Sequence, residues 1–229
     1  MVVDRAAGSG LRASSFVVAI DGPAASGKGT LARRLAERFG FAHLDTGALY
    51  RVVALQVLDA AGDPADPIVA ETAARGIDSR LLTDPRLRGE AVGRTASIVA
   101  AQPAVRLALL DFQRGFAAHP PAGAKGAVLD GRDIGSVVCP DADVKLFVTA
   151  AAEERARRRA VELQAAGAAA TYDQILQELR ERDARDAGRA AAPMTMAAGA
   201  IPIDTTTLDP DAVLAWASEI VLEAIAASR

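Results

Sequence analysis

The chain has 229 residues, of which 51% are hydrophobic and 24% charged, and its formal net charge is −3. That length and apolar share suit one globular domain with a sizeable core, and the mild acidity excludes a general nucleic-acid binder, whose surface should be strongly basic. A single cysteine, Cys139, and two histidines, His43 and His119, exclude a disulfide framework and a centre built on Cys or His ligands.

No apolar run reaches the ~18 residues of a spanning helix, so a soluble, cytoplasmic chain without membrane or nucleic-acid partners is expected, with no protein metal-ligand set. Residues 1–15 show neither periodicity nor the apolar stretch of a secretory signal and read as a flexible N-terminus. Structure should begin at residues 16–20, FVVAI, a short β-branched run bounded by Asp21-Gly22-Pro23, as in a buried parallel strand. A helix is predicted over 28–38, a short strand over 42–44 and a second helix over 47–60.

Residues 62–93 are the least readable stretch, because Pro64, Pro67, Pro85 and several glycines break any long element. Helices follow near 94–101 and 103–118, the second ending at His119-Pro120-Pro121. Strands are predicted over 127–130 and 144–148. A charged helix over 152–164 is interrupted at Gly167, and another runs from Thr171, which has capping-box spacing to Gln174, to about Ala187. Residues 201–204 form a last strand, and Asp209-Pro210 pairs an N-cap with proline at the first helical position. Strands alternating with helices imply an α/β fold, a parallel β-sheet flanked by helices.

The segment Gly22-Pro23-Ala24-Ala25-Ser26-Gly27-Lys28-Gly29-Thr30 matches G-x-x-x-x-G-K between a predicted strand and a helix. Glycines free the backbone to turn its N–H groups around phosphate oxygens, the helix N-terminus adds partial positive charge, and Lys28 serves as a mobile point charge. Gly29 stands where a Mg²⁺-ligating hydroxyl usually sits, and the hydroxyl comes one position later at Thr30. An Mg²⁺ ion would then be held largely by phosphates and water. The chain has no asparagine, so the Asn-Lys-x-Asp base reader of guanine-nucleotide switches is absent.

Asp45-Thr46-Gly47 ends a strand and opens a helix, with Tyr50 and Arg51 one turn on, placing a hydroxyl and a guanidinium where open α/β sheets bind ligands. Asp130-Gly131-Arg132-Asp133 follows a strand directly. Those three charges could neutralise one another or serve a phosphate and a base. Cys139 and Trp216 read as packing residues and His43 as structural, and His119 as a helix end.

Four blocks in order carry a resemblance: AIDGPAASGKGTLARRLAERFGFAHLDTGALYR over 19–51, Ser97-x-x-Ala-Ala-x-Pro103-x-Val-Arg106, Asp130-Gly-Arg132-Asp133-Ile-Gly135, and Glu181-Arg-Asp-x-Arg185-Asp186-x-x-Arg189. Together they resemble bacterial cytidylate kinases, P-loop nucleoside monophosphate kinases. The likeness implies one kinase domain over 16–229, with a monophosphate-binding region near 46–120 and a lid near 153–189. It implies ATP as donor, Mg²⁺, CMP and dCMP as acceptors, and a monomer. Acceptor contacts implied are Thr46, Tyr50, Arg51, Ser97, Arg106, Arg132, Asp133, Asp186 and Arg189. Arg158, Arg182 and Arg185 would act beside Lys28 and Arg132 on the migrating phosphoryl. Many relatives carry a longer insertion, with a small sheet, where residues 62–93 look abbreviated. The alternatives are a P-loop kinase with UMP or AMP as acceptor, and a non-catalytic ATP-binding module.

Overall fold

The computed structural model describes residues 15–165, 167, 170–189 and 192–228. The expected flexible terminus, apart from Ser15, and residues 166, 168 and 169 around Gly167 lie outside the described residues.

Five parallel strands form one sheet in the order β2-β3-β1-β4-β5: β1 (Phe16–Asp21), β2 (Ala42–Asp45), β3 (Gly126–Gly131), β4 (Val144–Thr149) and β5 (Ile201–Asp204). Strand side chains alternate between faces, and the core divides accordingly. Ala19, Ala127 and Leu129 pack with α2 (Thr46–Asp59), α4 (Glu90–Val99) and α5 (Pro103–Ala118), whereas Val18, Ile20 and Val128 pack with α1 (Lys28–Phe39) and α8 (Pro210–Ala227). Both faces are covered, so the central strands are apolar throughout.

The register sets the carboxyl ends of three strands level: Asp21 pairs with Gly131 across β1 and β3, and Asp45 with Asp130 across β2 and β3. In such sheets ligands bind beyond the strands' carboxyl ends, and Asp21, Asp45 and Asp130 stand at that rim.

Residues 62–93 contain α3 (Pro67–Arg75) and two 3₁₀ turns, Ser79–Thr83 and Pro85–Arg88, with no strand. Asp66 caps α3 through the Ile68 amide at 2.8 Å, with Pro67 at the first helical position. Proline there starts a helix because its missing N–H would be unpaired anyway. Helix α4 begins at Glu90, four residues before the predicted start.

Beyond β4 lie the charged helices α6 (Ala152–Ala165) and α7 (Tyr172–Ala187), the second opened by the Thr171–Gln174 capping box. Ala156, Ile175 and Leu179 from this pair form a small cluster with Ala24. These two helices therefore rest on the glycine-rich loop. Trp216 is not a packing residue: α8 buries Val213, Ala217 and Val221, and the tryptophan falls off that stripe at 42% exposure. Cys139 is half-buried, and its burial pushes the thiol up to about 11, which leaves it unreactive.

Candidate active site

The loop after β1 needs its glycines. Gly22 has φ +150°, and a Cβ there would lie 1.9 Å from the Val148 carbonyl oxygen, so no other residue fits. Ala25 is left-handed at φ 58°, a conformation that costs an alanine energy and persists only when its surroundings enforce it. Those surroundings are visible. The Pro23 carbonyl accepts from Lys28 Nζ at 3.4 Å, the Ala24 carbonyl from Arg155 Nη1 at 3.3 Å, and the Ser26 carbonyl from the Thr205 hydroxyl at 2.9 Å.

A trans peptide directs its N–H opposite its C=O. Anchoring Ala24 and Ser26 through their carbonyls therefore turns the Ala25 and Gly27 amides the other way, free to meet an anion. Ser26 Oγ is buried without a partner, a further orphan polar atom in the same loop.

Burial, and then the Arg132 charge, push Lys28 down to about 7, while Asp130 and Asp45 oppose that shift. A lysine so depressed is a cation short of counter-charge, which a polyphosphate would supply. Among the described residues no group of three or more His, Cys, Asp or Glu could hold a metal ion. Asp130 Oδ2 lies 3.7 Å from where a Cβ on Gly29 would stand, and the Thr30 side chain is exposed on the next position. One carboxylate and one hydroxyl beside a phosphate cradle fit an ion that keeps most of its ligands from phosphate and water.

Asp130, Arg132 and Asp133 do not neutralise one another. Asp130 Oδ1 meets His43 Nε2 at 2.9 Å, Arg132 Nε donates to Asp186 Oδ2 at 2.9 Å, and Asp133 pairs with Arg106 Nη2. Asp186 also accepts from Arg189 Nη2. The carboxylate is 1% exposed and holds two guanidiniums, one following β3 and one following α7. Removing one partner from such a buried pair strands the other charge.

Arg182 stands beside this hub. Burial lowers it to about 10, with Arg132, Arg51 and Arg189 adding repulsion and Asp186 opposing them. It forms no ion pair with Glu178, the surface partner its spacing suggests, and its Nε is buried unpaired. Arg51 lies 3.8 Å from Asp45.

The base-sized hollow is adjacent. A cavity of about 230 Å³ is lined by Tyr50, Arg106, Leu110, Gln113, Asp133 and Val137. The Arg106 guanidinium stacks 5.6 Å above the Tyr50 ring. A larger hollow of about 300 Å³ runs along Val17, Arg114 and Cys139. It gathers no perturbed cation and lies away from the strands' carboxyl ends, so its size is no argument for chemistry.

Asp133 is positioned by a residue that sequence reading passed over. The Asp21 carboxylate accepts the Ile134 amide at 2.7 Å and the Gly135 amide at 2.8 Å, seating the single π-helical turn Ile134–Val138 that follows Asp133. Burial raises Asp21 to about 6 despite those bonds. Gly131 permits the approach from the other side, because a Cβ there would stand 2.6 Å from Thr46 Oγ1. The Thr46 hydroxyl donates to the Asp130 carbonyl at 2.8 Å, keeping its lone pairs free.

The remaining candidates divide. Arg185 Nε reaches Ser97 Oγ at 3.4 Å, joining α7 to α4. Arg158 stands by the glycine-rich loop instead, donating to the Thr205 carbonyl at 2.6 Å and hydroxyl at 3.0 Å, and to Glu154 at 3.2 Å. Thr205, Arg155, Asp21 and the His43–Asp130 pair went unread. Only Asp21 carried a signal, as the last residue of a strand that opens directly into the loop.

The chain matches the family described as Cytidylate kinase over residues 18–223. It is 55% identical to a protein named cytidylate kinase from Rhodospirillum rubrum, over 90% of this chain and 97% of that one. It is 56% identical to one of the same name from Paramagnetospirillum magneticum, over 90% and 98%. A cytidylate kinase from a Methylobacterium is 60% identical over 80% of this chain and 85% of its own. A cradle for a polyphosphate facing a cationic hub beside a base-sized hollow agrees with that similarity, and the chain belongs to the cytidylate kinase family.

Proposed function

We propose that this chain transfers the γ-phosphoryl group of ATP to CMP, and to dCMP, releasing ADP and the pyrimidine nucleoside diphosphate. The observation that carries this reading is the Asp186 hub, which holds Arg132 and Arg189 together with Arg132 within electrostatic reach of Lys28.

Phosphoryl transfer through a loose transition state needs alignment and charge neutralisation more than a strong base. Residues 22–30 hold the triphosphate by their amides, with Lys28 on its outer phosphates. Arg51, Arg132 and Arg189 hold the acceptor phosphate. Arg132 and Lys28 are close enough to repel, so an anion between them relieves both. Arg182 and Arg185 on α7 neutralise the charge that migrates, and Arg158 steadies the donor loop through Thr205.

Asp133 accepts from the cytosine amino group while Arg106, stacked on Tyr50, donates to the ring's acceptors; Ser97 and Asp186 serve the sugar. A 4-amino group is what separates cytosine from uracil, and a carboxylate rewards that donor. Mg²⁺ bound to the phosphates would be approached by Asp130 and Thr30, and it supplies charge neutralisation there. Closure of α6 and α7 excludes water, which would otherwise hydrolyse ATP. We place this activity in the cytoplasm and in a monomer, since both substrate sides come from one chain.

The direct test is a panel of CMP, dCMP, UMP, AMP and GMP with coupled detection of ADP. CMP and dCMP should be turned over well above the other three. A preference for AMP or UMP would assign the chain another acceptor, and no ADP above background with any of them would make it a binding module.

A further inference from the structure

Arg155 has no role in the scheme above, yet it is deeply buried, at 5% exposure. Desolvating a guanidinium is costly unless its donors are matched, and here they are. Nε donates to the Ala150 carbonyl at 2.9 Å, just past β4, Nη1 to the Ala24 carbonyl at 3.3 Å, and Nη2 to Asp183 Oδ2 at 2.7 Å.

Two of those partners belong to opposite sides of the reaction. The Ala24 carbonyl is the outer face of the peptide whose N–H belongs to Ala25, so Arg155 fixes the direction of a cradle amide. Asp183 follows Arg182 and precedes Asp186 by three residues on the same helix, so its position carries the hub with it. Beside this guanidinium, Ile175 and Leu179 of α7 meet the loop in a small cluster with Ala24. Asp183 Oδ1 is buried and unpaired, which leaves the Arg155 bond as the tether of that carboxylate.

We propose that Arg155 is a positioning residue that couples the two nucleotides: a triphosphate held by the Ala25 amide stiffens the Ala24 peptide, which through Arg155 and Asp183 sets α7, and with it Arg182 and Asp186, for the monophosphate. The inference rests on the donor and acceptor assignments made above. Coupling of this kind is reciprocal, so CMP tightens ATP binding by the same factor.

Calorimetric titration of CMP, with and without saturating Mg²⁺ and the non-hydrolysable analogue AMP-PNP, reads it. In the unaltered protein the analogue should tighten CMP binding by about tenfold, within the usual range of such couplings. Arg155→Met should cut that enhancement below about twofold while leaving the CMP affinity without analogue within about threefold, because the acceptor contacts remain. Asp183→Asn should do the same, and the double variant should lose no more than either, as members of one linkage do.

Retention of the full enhancement in Arg155→Met, its absence from the unaltered protein, or additive losses in the double variant would each overturn the proposal. Should Arg155→Met fail to fold by circular dichroism, Asp183→Asn decides on the same criterion. Failure of the unaltered protein to bind AMP-PNP would overturn the donor assignment itself, a distinct result.

Discussion

The depressed Lys28 makes donor binding a proton-uptake reaction. In the free protein Lys28 titrates near 7, lowered by burial and by Arg132. A triphosphate between the two cations favours the charged lysine, so the bound form keeps its proton well above that pH. Below pH 7 the amine is already charged and binding is unaffected. As pH rises through 7 the free protein loses the proton that the complex must recover. The fraction protonated falls from about 0.9 at pH 6 to about 0.1 at pH 8, so affinity for Mg²⁺–AMP-PNP should weaken about tenfold, or ~1.4 kcal/mol. At pH 8 about 0.9 proton should be taken up per nucleotide bound. Calorimetry in two buffers of different ionisation enthalpy measures the uptake directly. Lys28→Met supplies the control, since any dependence that it retains belongs to the ligand. Equal uptake in the two proteins, or none in the unaltered one, would refute the reasoning.

Asp186→Asn should raise the KM for CMP at least tenfold with the KM for ATP nearly unchanged, and should cost ~3 kcal/mol of stability, because Arg132 and Arg189 lose their shared buried counter-charge; denaturant unfolding and initial rates check both. Replacing Asp133 by Ala should relax the choice between CMP and UMP, and an unchanged ratio of kcat/KM would count against base reading. Asp21→Ala leaves the Ile134 and Gly135 amides unpaired, a loss of about 2–6 kcal/mol at ~1–3 kcal/mol for each orphan. Since burial raises Asp21 to about 6, above its unfolded value of 3.8, that group's contribution is full below pH 3.8 and falls as pH rises through 6. The corresponding slope should be absent from Asp21→Ala.

Much of this architecture is legible in the sequence because local chemistry dictates it. Pro103, the Thr171–Gln174 box and Asp209-Pro210 each mark a helix start that the structure keeps, and Gly22 to Lys28 specify a cradle through backbone demands alone. Pro67 carried the same kind of mark after Asp66, but beside Pro64 and Gly62 it read as a breaker. Pairings were harder. Asp130, Arg132 and Asp133 are near neighbours in sequence, yet they diverge to His43, Asp186 and Arg106, because the chain leaves a strand there and turns.

Helices α6 and α7 show the same limit. Arg155, Arg157, Arg158 and Arg159 form one run, but Arg157 and Arg159 pair with glutamates on their own helix while Arg155 turns into the loop and Arg158 to Thr205. Only tertiary packing separates them. Trp216 illustrates the converse: an aromatic on an apolar helix is packed only if it falls on the stripe that faces the sheet.

A crystal structure with AMP-PNP, Mg²⁺ and CMP bound together tests the central claim most directly. The γ-phosphoryl should lie between Lys28 and Arg132, in line with a CMP phosphate oxygen held by Arg51 and Arg189, with the cytosine amino group on Asp133. Nucleotides seated on separate surfaces, or a CMP whose phosphate points away from Lys28, would contradict it.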